Sequence, residues 1–427
     1  MSKNFDCKFK HYCESCKHIM EEKGEKVIAC NYECLLDHPD RDFDLLCSNC
    51  GASISVCENE ELIKSTNVSL VKSAIKNPNI TVVCFTAPSI RASISEEFNN
   101  GVVENAQGKL NTALRLLGFD VVFDMNVAAD FTVVEEANEF VERFKAKKNL
   151  PMMTSCCPGW VNFVTKAYKE FVPNLSTCKS PQQMFGALIN NYYAEVMGKK
   201  STEYFVVSIV PCLAKRLEAR TEGINSNIGY DVDAAITTTE IVAMIKEAGI
   251  DFNSLKESDF DTFFGSASGA GTIFGNTGGV MEAVLRTIGD TVEEKDIEEV
   301  MCQLVRGEEG VRKAVIEFGK HKIRVAVVSG LMNAKPLLDK IKSGDEEYDF
   351  VEVMACPGGC VGGGGQPRRN LDEIPKFTRK RAKVLYDNGD RNIKRKSHKN
   401  PSVQMVYKNY LGEIGGELAQ KLLHRRY

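Results

Sequence analysis

Long apolar runs and strong charge are both missing from this chain of 427 residues. No apolar stretch approaches the ~20 residues that a membrane-spanning helix needs, so we expect no membrane partner. The net charge is only −4, which argues against nucleic-acid binding, because nucleic-acid-binding proteins carry a basic surface. The first residues contain neither an apolar core nor a twin arginine. No export signal is therefore visible, and we expect a cytoplasmic protein or one in an organelle matrix.

Tryptophan and nucleotide-binding motifs are also scarce. The single tryptophan, Trp160, is expected to be a packing anchor. A glycine-rich segment, FFGSASGAGTIFGNTGGVMEAVLR at residues 263–286, precedes a predicted helix. It lacks the GxxxxGK[ST] pattern, and no GxGxxG follows a predicted strand. We therefore predict no nucleotide-binding loop here.

Cysteine, by contrast, is abundant, with 16 residues. In an intracellular protein of this size such a number favours metal ligation over disulfides. Some cysteines can instead be small buried apolar residues, and Cys84, Cys178 and Cys302 are our candidates. Half of the cysteines fall in the first 57 residues: Cys7, Cys13, Cys16, Cys30, Cys34, Cys47, Cys50 and Cys57. That polar region could not build much of a core without metal or disulfide cross-links.

The rest of the chain alternates predicted strands and helices, which indicates an α/β fold with two lobes and mainly parallel sheets flanked by helices. Predicted strands include residues 80–88, 119–125, 323–329 and 348–354. Asp130 is expected to cap a helix that runs to about Lys147. We predict three units: a small Cys-rich iron–sulfur module at 1–65, a two-lobed catalytic domain at 66–388, and a C-terminal segment at 389–427. The last is expected to wrap the lobes as a solvated amphipathic helix.

Three segments place cysteine beside proline just after an apolar run. They are LPMMTSCCPGW (150–160), YFVVSIVPCLAKRLE (204–218) and YDFVEVMACPGGCVGGGGQP (348–367). Each run is typical of a buried parallel strand, and ligands collect at the carboxyl ends of such strands. The segments supply Cys156, Cys157, Cys212, Cys356 and Cys360. Four converging thiolates indicate an iron–sulfur cluster, which leaves the fifth to be explained.

Together the three segments resemble the signature segments of the iron-only ([FeFe]) hydrogenases. The resemblance runs from about Ile80 to Tyr427 and includes TAPSIRASISEEF (86–98), KSPQQMFG (179–186), GAGTIFGNTGGVMEA and the RKSH element near His398. It implies the catalytic, large-subunit family with its H-cluster domain. The N-terminal module of this chain is divergent within that family.

The resemblance implies a four-iron cubane held by Cys157, Cys212, Cys356 and Cys360. Cys360 would also bridge to a two-iron subsite carrying carbon monoxide, cyanide and an azadithiolate. Lys215 matches the family lysine that holds one cyanide, Glu218 a residue that supports this lysine, and Ser89 a contact to the other cyanide. Further positions match the pocket lining: Ala87, Pro88, Pro181, Gln182, Phe274 and Met354.

Cys156 then matches the proton donor and acceptor next to the two-iron subsite. A thiol with a reference pKa of about 8.5 can give and take protons near neutral pH. The resemblance continues the proton relay as Cys156, Glu136, Ser176, Glu139 and Arg143. From spacing alone, Glu139 and Arg143 are an ordinary i,i+4 surface pair. Only the resemblance assigns them to the relay.

Two features depart from the family pattern. Val210 stands where many members have a methionine beside the two-iron subsite, and the shorter side chain would leave space there. In the N-terminal module, the spacing CxxCxxCxxxC is kept by Cys47, Cys50 and Cys57 with Ser53 at the third ligand position. Cys13 and Cys16 keep one further pair. Its eight thiols could hold two cubanes, or one cubane and a structural zinc ion, since CxxC pairs suit zinc.

The expected activity is that of an anaerobic hydrogenase, the interconversion of protons and H2, with electrons exchanged with ferredoxin or a similar carrier. Maturation proteins would supply the two-iron subsite, and a hydrogenosome-like matrix is an alternative location. The main rival is the hydrogenase-like iron–sulfur assembly protein of the eukaryotic cytosol. That family shares the three segments but generally lacks the first of the adjacent cysteines and the relay carboxylates. A sensory hydrogenase is a third reading, although we find no sensor module in the sequence.

Overall fold

The computed structural model describes residues 66–427, except residues 222, 227–228, 298, 308–309, 368 and 371. The predicted module at 1–65, with its candidate ligands Cys7, Cys13, Cys16, Cys30, Cys34, Cys47, Cys50 and Cys57, lies outside the described residues. Among the described residues, no helix combines the length and apolar character that a bilayer crossing requires.

One sheet has four parallel strands in the order β2-β1-β4-β5. Numbered along the chain, these are β1 (Thr81–Thr86), β2 (Val121–Asp124), β4 (Tyr204–Val210) and β5 (Ala234–Thr237). In the central strand β1 every residue after Thr81 is buried. Burial on both faces explains why this strand is a continuous apolar run rather than an alternating pattern.

The second sheet has the order β3-β8-β7-β6. Its strands are β3 (Met152–Met153), β6 (Val311–Phe318), β7 (His321–Ser329) and β8 (Phe350–Met354). Strands β3, β8 and β7 pair in parallel, whereas β6 and β7 form an antiparallel hairpin. The sequence did not predict β6, because none of its first five residues is buried and it lacks the continuous apolar run that marks the other strands. The two sheets flanked by helices confirm the predicted α/β class with mainly parallel strands.

Helices cover both sheets. In chain order they are α1 (Thr66–Ile75), α2 (Ile90–Ser93), α3 (Gln107–Leu117), α4 (Met125–Ala146), α5 (Pro158–Ala167), α6 (Pro181–Leu188), α7 (Ala194–Val196), α8 (Ala214–Glu218), α9 (Thr238–Glu247), α10 (Gly269–Ile273), α11 (Gly279–Glu293), α12 (Leu331–Ser343), α13 (Ile374–Arg391), α14 (Pro401–Val406) and α15 (Glu417–Leu423). Helix α13 continues past residue 388. The predicted boundary between the catalytic domain and the C-terminal segment, at 388/389, therefore does not coincide with the end of a helix.

Helix α4 connects the two lobes. Its 22 residues span about 33 Å at 1.5 Å per residue. One part of its apolar surface, including Phe131 and Val134, belongs to the core around the first sheet. Another part, including Val133 and Phe140, belongs to a core against the second sheet. Packing on two sides fixes this helix in position, which matters because it carries the predicted relay carboxylates.

The predicted start of helix α4 is wrong. The helix begins at Met125, and its cap is Asp124, whose carboxylate accepts from Asn126 N at 3.0 Å. Asp130 lies inside the helix and is fully buried. Its carboxylate accepts from Ser268 N at 2.7 Å, Ser397 Oγ at 2.6 Å and Asn400 Nδ2 at 2.8 Å. Asp130 therefore joins α4 to the C-terminal segment and does not mark the start of the helix.

We expected the C-terminal segment to be one solvated amphipathic helix, and this prediction is wrong. It contains the short helices α14 and α15, and several of its polar side chains are buried, including Ser397, Asn400 and His424. Residues Lys179 N and Leu423 O pair at 2.8 Å, and Arg425 N donates to Thr177 O at 2.8 Å. The segment is therefore built into the fold beside residues 176–179.

Candidate active site

Four strand ends from the two sheets meet at one cavity. Strands β1 and β4 approach from the first sheet, and β3 and β8 approach from the second. The residues that follow them line the cavity: Ala87 and Pro88 after β1, Pro211 and Cys212 after β4, Cys156 and Cys157 after β3, and Ala355, Cys356 and Cys360 after β8. The carboxyl ends of parallel strands are where open α/β sheets bind ligands. All five cysteines of the three segments therefore share one cavity.

The loop after β8 depends on glycine to reach this cavity. Gly359 has a φ of +90°, and a Cβ there would lie 2.6 Å from Thr277 N. A Cβ on Gly363 would lie 2.4 Å from the carbonyl oxygen of Pro211. Glycine avoids both clashes. The loop can therefore pack against the end of β4, which brings Cys360 to the same cavity as Cys212.

Cys157 occupies the residue that precedes helix α5. The N-terminus of a helix favours negative charge, which suits a thiolate. The amide of Ala355 also donates to Cys157 Sγ at 3.4 Å. Trp160, on the first turn of α5, is fully buried and donates from Nε1 to Thr154 O at 3.0 Å. This bond fixes α5 to the strand end that carries Cys156 and Cys157.

Lys215 brings a buried cation to the cavity wall. Its Nζ donates to Cys156 O and to Glu218 Oε2, both at 2.9 Å. Burial opposes the charged ammonium, but the Glu218 carboxylate outweighs it, and the pKa of Lys215 is raised. Since an ammonium has three donors, one N–H of Lys215 is left over from these two bonds. A charged donor of this kind suits an anionic ligand in the cavity.

Glu218 lies behind the wall and is held by a second group of polar side chains. Its Oε2 accepts from Ser180 Oγ at 2.8 Å and from Gln182 Nε2 at 3.1 Å. Gln182 Oε1 in turn accepts from Ser208 Oγ at 2.6 Å. The sequence did not single out Ser180 and Ser208. Their one signal is that a hydroxyl interrupts a buried strand (Ser208) or precedes a helix (Ser180).

The remaining wall is mostly apolar. It contains all six predicted lining residues: Ala87, Pro88, Pro181, Gln182, Phe274 and Met354. Val210 is also on the wall, and Met125 and Ala129 of helix α4 complete it without having been predicted. Ser89 is buried just behind Pro88, and its Oγ has no hydrogen-bond partner among the described residues. A buried hydroxyl without a partner is costly, so Ser89 is available to a polar ligand.

These residues fit an iron–sulfur cofactor with anionic ligands. Cys157, Cys212, Cys356 and Cys360 provide four sulfur donors, which is the ligand set of a cubane. Burial raises the pKa of the Cys212 and Cys360 thiols above the usual range. The charge of bound iron would overcome that cost, because a coordinating thiol is deprotonated outright. Lys215 offers a charged donor and Ser89 a neutral one.

Glu139 and Arg143 form a partly buried pair rather than an ordinary surface pair. Arg143 Nη2 donates to Glu139 Oε1 at 2.5 Å, and each side chain is only 12% exposed. Arg143 also donates to the carbonyls of Pro173, Asn174 and Leu175 at 2.9–3.3 Å. These bonds dock the loop at 173–178 against helix α4. Ser176 Oγ then donates to Glu139 Oε2 at 2.9 Å.

Glu136 lies one turn closer to the cavity on the same helix and is fully buried. Within the described part of the chain, neither of its carboxyl oxygens accepts a hydrogen bond. Burial, reinforced by the charge of Glu139, raises the pKa of Glu136 to about 8. Because the single hydroxyl proton of Ser176 goes to Glu139, Glu136 can bond Ser176 only as the donor. A neutral Glu136 is suited to that task.

Cys156 lies on the cavity wall, and its backbone carbonyl accepts from Lys215. Burial and the nearby Glu136 carboxyl raise the pKa of its thiol. The structure thus places Cys156 on the cavity wall, with Glu136, Ser176, Glu139 and Arg143 following outward along α4 and the adjoining loop. From Ala129 on the wall to Arg143, helix α4 advances about 21 Å at 1.5 Å per residue.

Comparison with known proteins identifies two family models. Residues 80–364 match the model described as the iron only hydrogenase large subunit, C-terminal domain. Residues 375–427 match the model described as the iron hydrogenase small subunit. Iron hydrogenase 1 of Clostridium pasteurianum is 43% identical over 368 residues, which cover 86% of this chain and 64% of that protein. The chain thus spans less than two thirds of that relative.

Two further comparisons bear on the site. The structure of apo [FeFe]-hydrogenase HydA1 from Chlamydomonas reinhardtii superposes with a TM-score of 0.74 at 36% identity, covering 85% of this chain and 99% of that chain. The cytosolic iron-sulfur assembly component 3 of Mus musculus is 31% identical over 401 residues, covering 90% of this chain and 82% of that protein. The same fold therefore occurs in proteins named for two different activities.

Proposed function

Because this chain belongs to the iron-only hydrogenase large-subunit family, we propose that it catalyses the reversible reduction of protons to H2 with electrons from ferredoxin or a similar carrier. The main support for the proposal is that two features occur together at one cavity. Five thiols line the cavity, four of them as candidate cluster ligands, and a chain of proton-bearing groups leads away from its wall. A cluster that only stores or transfers iron needs no such chain.

The proposed cofactor is an H-cluster. Cys157, Cys212, Cys356 and Cys360 would hold its four-iron cubane, and Cys360 would bridge to a two-iron subsite with carbon monoxide, cyanide and azadithiolate ligands. When bound, this group supplies the electrons and the site at which protons become H2. The apolar wall formed by Pro181, Phe274 and Met354 excludes water from that site. In a dry site, the few charged groups interact strongly.

Lys215 orients the cofactor in this proposal. Its ammonium is fixed by Glu218 and by the carbonyl of Cys156, and its remaining proton is free to reach an anionic ligand. Ser89, which follows the end of strand β1, offers a neutral donor. Since Glu218 is itself held by Ser180 and Gln182, the lysine is held at one place on the wall. A fixed donor of this kind costs no reorganisation when the ligand binds.

Cys156, Glu136, Ser176, Glu139 and Arg143 form the proposed proton path. Glu139 is hydrogen-bonded to Ser176 and Arg143 at the outer end. A neutral Glu136 can pass its proton inward to Cys156 and recover one through Ser176, whose hydroxyl can both donate and accept. Arg143 donates to the Glu139 carboxylate and so holds this group at the outer end of the path, where it can exchange a proton with solvent.

Assembly of iron–sulfur clusters is the alternative function, since an assembly component shares 31% identity with this chain. It would require the four ligand cysteines but not the proton path. The adjacent pair Cys156–Cys157 and the buried Glu136 therefore favour the hydrogenase. The identity to the Clostridium hydrogenase is also higher, at 43%.

The test is maturation of the purified protein with the two-iron cofactor under anaerobic conditions. We expect infrared bands from bound carbon monoxide and cyanide, together with H2 evolution from reduced viologen. A Cys156→Ser variant should keep the bands and lose nearly all turnover, because serine is too weak an acid for the same exchange. Absence of the bands from the matured wild-type protein would contradict the hydrogenase and favour the assembly function.

The other parts of the proposal concern residues 1–65 and the surroundings of the protein. We propose that this segment holds one or two clusters, or a cluster and a zinc ion, and passes electrons to the cavity. Residues 66–388 would form the catalytic domain and residues 389–427 its C-terminal segment. We further propose that maturation proteins supply the two-iron subsite and that the protein works in an anaerobic cytoplasm or organelle matrix. Iron and zinc contents measured with and without residues 1–65 would determine the metal load of that segment.

A further inference from the structure

Three side chains of metal-binding type lie together at the outer end of the proton path, and one of them is the path residue Glu139. Glu139, Cys178 and His424 each offer one ligand atom, and these atoms all lie within 4.8 Å of one another. Cys178 Sγ is 3.8 Å from Glu139 Oε2 and 4.0 Å from His424 Nδ1. The cavity chemistry described above uses neither Cys178 nor His424. The cysteine is fully buried, and the histidine is 6% exposed.

The histidine is held with its Nδ1 toward Thr177 Oγ1, at 2.8 Å, and toward Cys178 Sγ, at 4.0 Å. Glu135 Oε2 lies 3.0 Å from His424 Nε2. The Glu135 carboxyl group also accepts from the Tyr407 hydroxyl and from Gly415 N. A carboxylate surrounded by donors is an acceptor, so the proton of a neutral His424 belongs on Nε2. Carboxylate–histidine pairs of this kind orient the histidine ligands of metal ions.

We propose that Glu139, Cys178 and His424 form a site for a divalent cation of the zinc class. Sulfur, imidazole nitrogen and carboxylate oxygen are the donors that zinc takes. Tetrahedral zinc would place the sulfur about 3.6 Å from each of the other two donor atoms, given Zn–S of about 2.3 Å and Zn–N or Zn–O of about 2.1 Å. The two sulfur distances already lie within about 0.4 Å of that value.

Local charge also suits a cation. Two glutamates, Glu135 and Glu139, flank the site, and Arg143 compensates Glu139 from the side away from Cys178. Binding would displace the Cys178 thiol proton to solvent and leave a thiolate on the metal. Thr177 Oγ1, now 2.8 Å from His424 Nδ1, would have to turn away. A water molecule would complete the fourth position.

The site has a consequence for the proposed hydrogenase, and this consequence rests on the proposed function. Glu139 cannot hold a cation and receive protons with the same oxygen. A bound metal would therefore block proton transfer beyond Ser176 without touching the cluster. The site would make the enzyme reversibly sensitive to zinc-class ions.

The binding test counts zinc in the full-length protein with its clusters assembled, so that the cluster cysteines are occupied. The protein is exposed to zinc chloride, desalted, and measured by mass spectrometry for zinc per chain. We expect one more zinc in the wild type than in Cys178→Ala. The matched control is Cys84→Ala, which removes another fully buried cysteine and should bind like the wild type. X-ray absorption at the zinc edge should show one sulfur ligand for the additional ion.

The functional test measures H2 evolution with and without zinc, each variant being normalised to its own zinc-free rate. We expect at least tenfold inhibition of the wild type, reversed by a chelator, and little inhibition of Cys178→Ala. His424→Asn should behave like Cys178→Ala, and a second variant keeps the test valid if one of them misfolds.

Equal zinc content in the wild type and both variants would overturn the site. If the chain produced no H2 at all, the proposed function would fail, while the zinc count would still decide the site. Unaltered rates in zinc-loaded wild type would overturn the blocking effect.

Discussion

The cluster cavity and the proton path differ in how the fold supports them. Four strand ends from two sheets supply the cavity, and its walls are mostly apolar. One helix and one loop supply the path, which consists of ionisable groups such as Glu136 and Glu139. The polar atoms beside the cavity are fixed by several partners, as Glu218 is. In the path, Glu136 accepts no hydrogen bond among the described residues.

This difference predicts two kinds of failure. Strands that pair over long sequence distances form the cavity. The cavity should therefore keep its shape when one ligand side chain is removed, although the cofactor would no longer bind. The path is a series of single links, so the loss of one link should stop proton transfer while the cofactor stays bound. Variants can therefore separate the two regions by measuring iron and turnover independently.

The largest effect is expected at a cavity ligand. In Cys212→Ala the cubane loses one of its four thiolates. The methyl group of alanine cannot coordinate iron. We expect the iron content of the matured protein to fall by about six atoms per chain relative to the wild type, about four from the cubane and two from the subsite bridged to it, and H2 evolution to drop below detection.

Cys84→Ala is the control for that variant, because Cys84 is a fully buried cysteine on strand β1 that does not line the cavity. It should retain its iron. Retention of the full iron content and of the infrared bands in Cys212→Ala would show that the cluster has a different ligand set.

A smaller but still large effect is expected in the path. Glu139→Gln keeps the size of the side chain and can still accept from Ser176, but it cannot take a proton from solvent. Loss of a positioned acid or base costs about 10²- to 10⁴-fold in rate. We expect a fall in H2 evolution of at least about 100-fold with unchanged carbon monoxide and cyanide bands.

Glu142 offers the matched control on the same helix, because it is exposed and bonds only Asn138 among the described residues at 3.2 Å. Glu142→Gln should keep close to the full rate. If both variants had the same rate, protons would be reaching the cavity by another route.

The cavity could be predicted in detail because its signals are local. A cysteine beside proline after an apolar run indicates a strand end, and parallel strand ends converge. The position of Cys156, Cys157 and Cys212 at one cavity follows from that rule. Glycine in the loop after Cys356 was equally visible, although the clash that it avoids at Pro211 required the structure.

The remaining features depend on contacts between distant parts of the chain. Asp130 has the sequence signature of a helix cap, but helix α4 begins earlier, at Met125. From inside the helix, Asp130 accepts hydrogen bonds from the distant Ser397 and Asn400. His424 lies 285 residues beyond Glu139, and nothing in its neighbourhood marks it as a partner of Cys178. The burial of Glu136 likewise comes from the packing of α4 between two cores. No local pattern carries such information.

The smallest effect expected is a change in stability with pH at Glu136. Its pKa is about 8 in the fold against an ordinary value of 4.5, so between these values the folded chain holds a proton that the unfolded chain has lost. Rising pH then favours unfolding, by at most about 1.4 kcal/mol per unit. Stability linked to this proton is fully present below pH 4.5 and is lost as pH rises through 8.

Glu136→Gln removes that proton but keeps the shape of the side chain, so the difference between the melting temperatures of the two proteins isolates Glu136. Other buried acids with raised pKa values, such as Glu352 and Asp130, contribute to both proteins and cancel. We expect the wild type to lose a few degrees relative to Glu136→Gln between pH 6 and pH 8.5, since 1 kcal/mol shifts the midpoint of a protein of this size by about 2 °C. Melting curves followed by circular dichroism measure this difference. Parallel curves would mean that Glu136 is ionised at neutral pH, and the proton path would then need a different donor to Ser176 than the one assigned here.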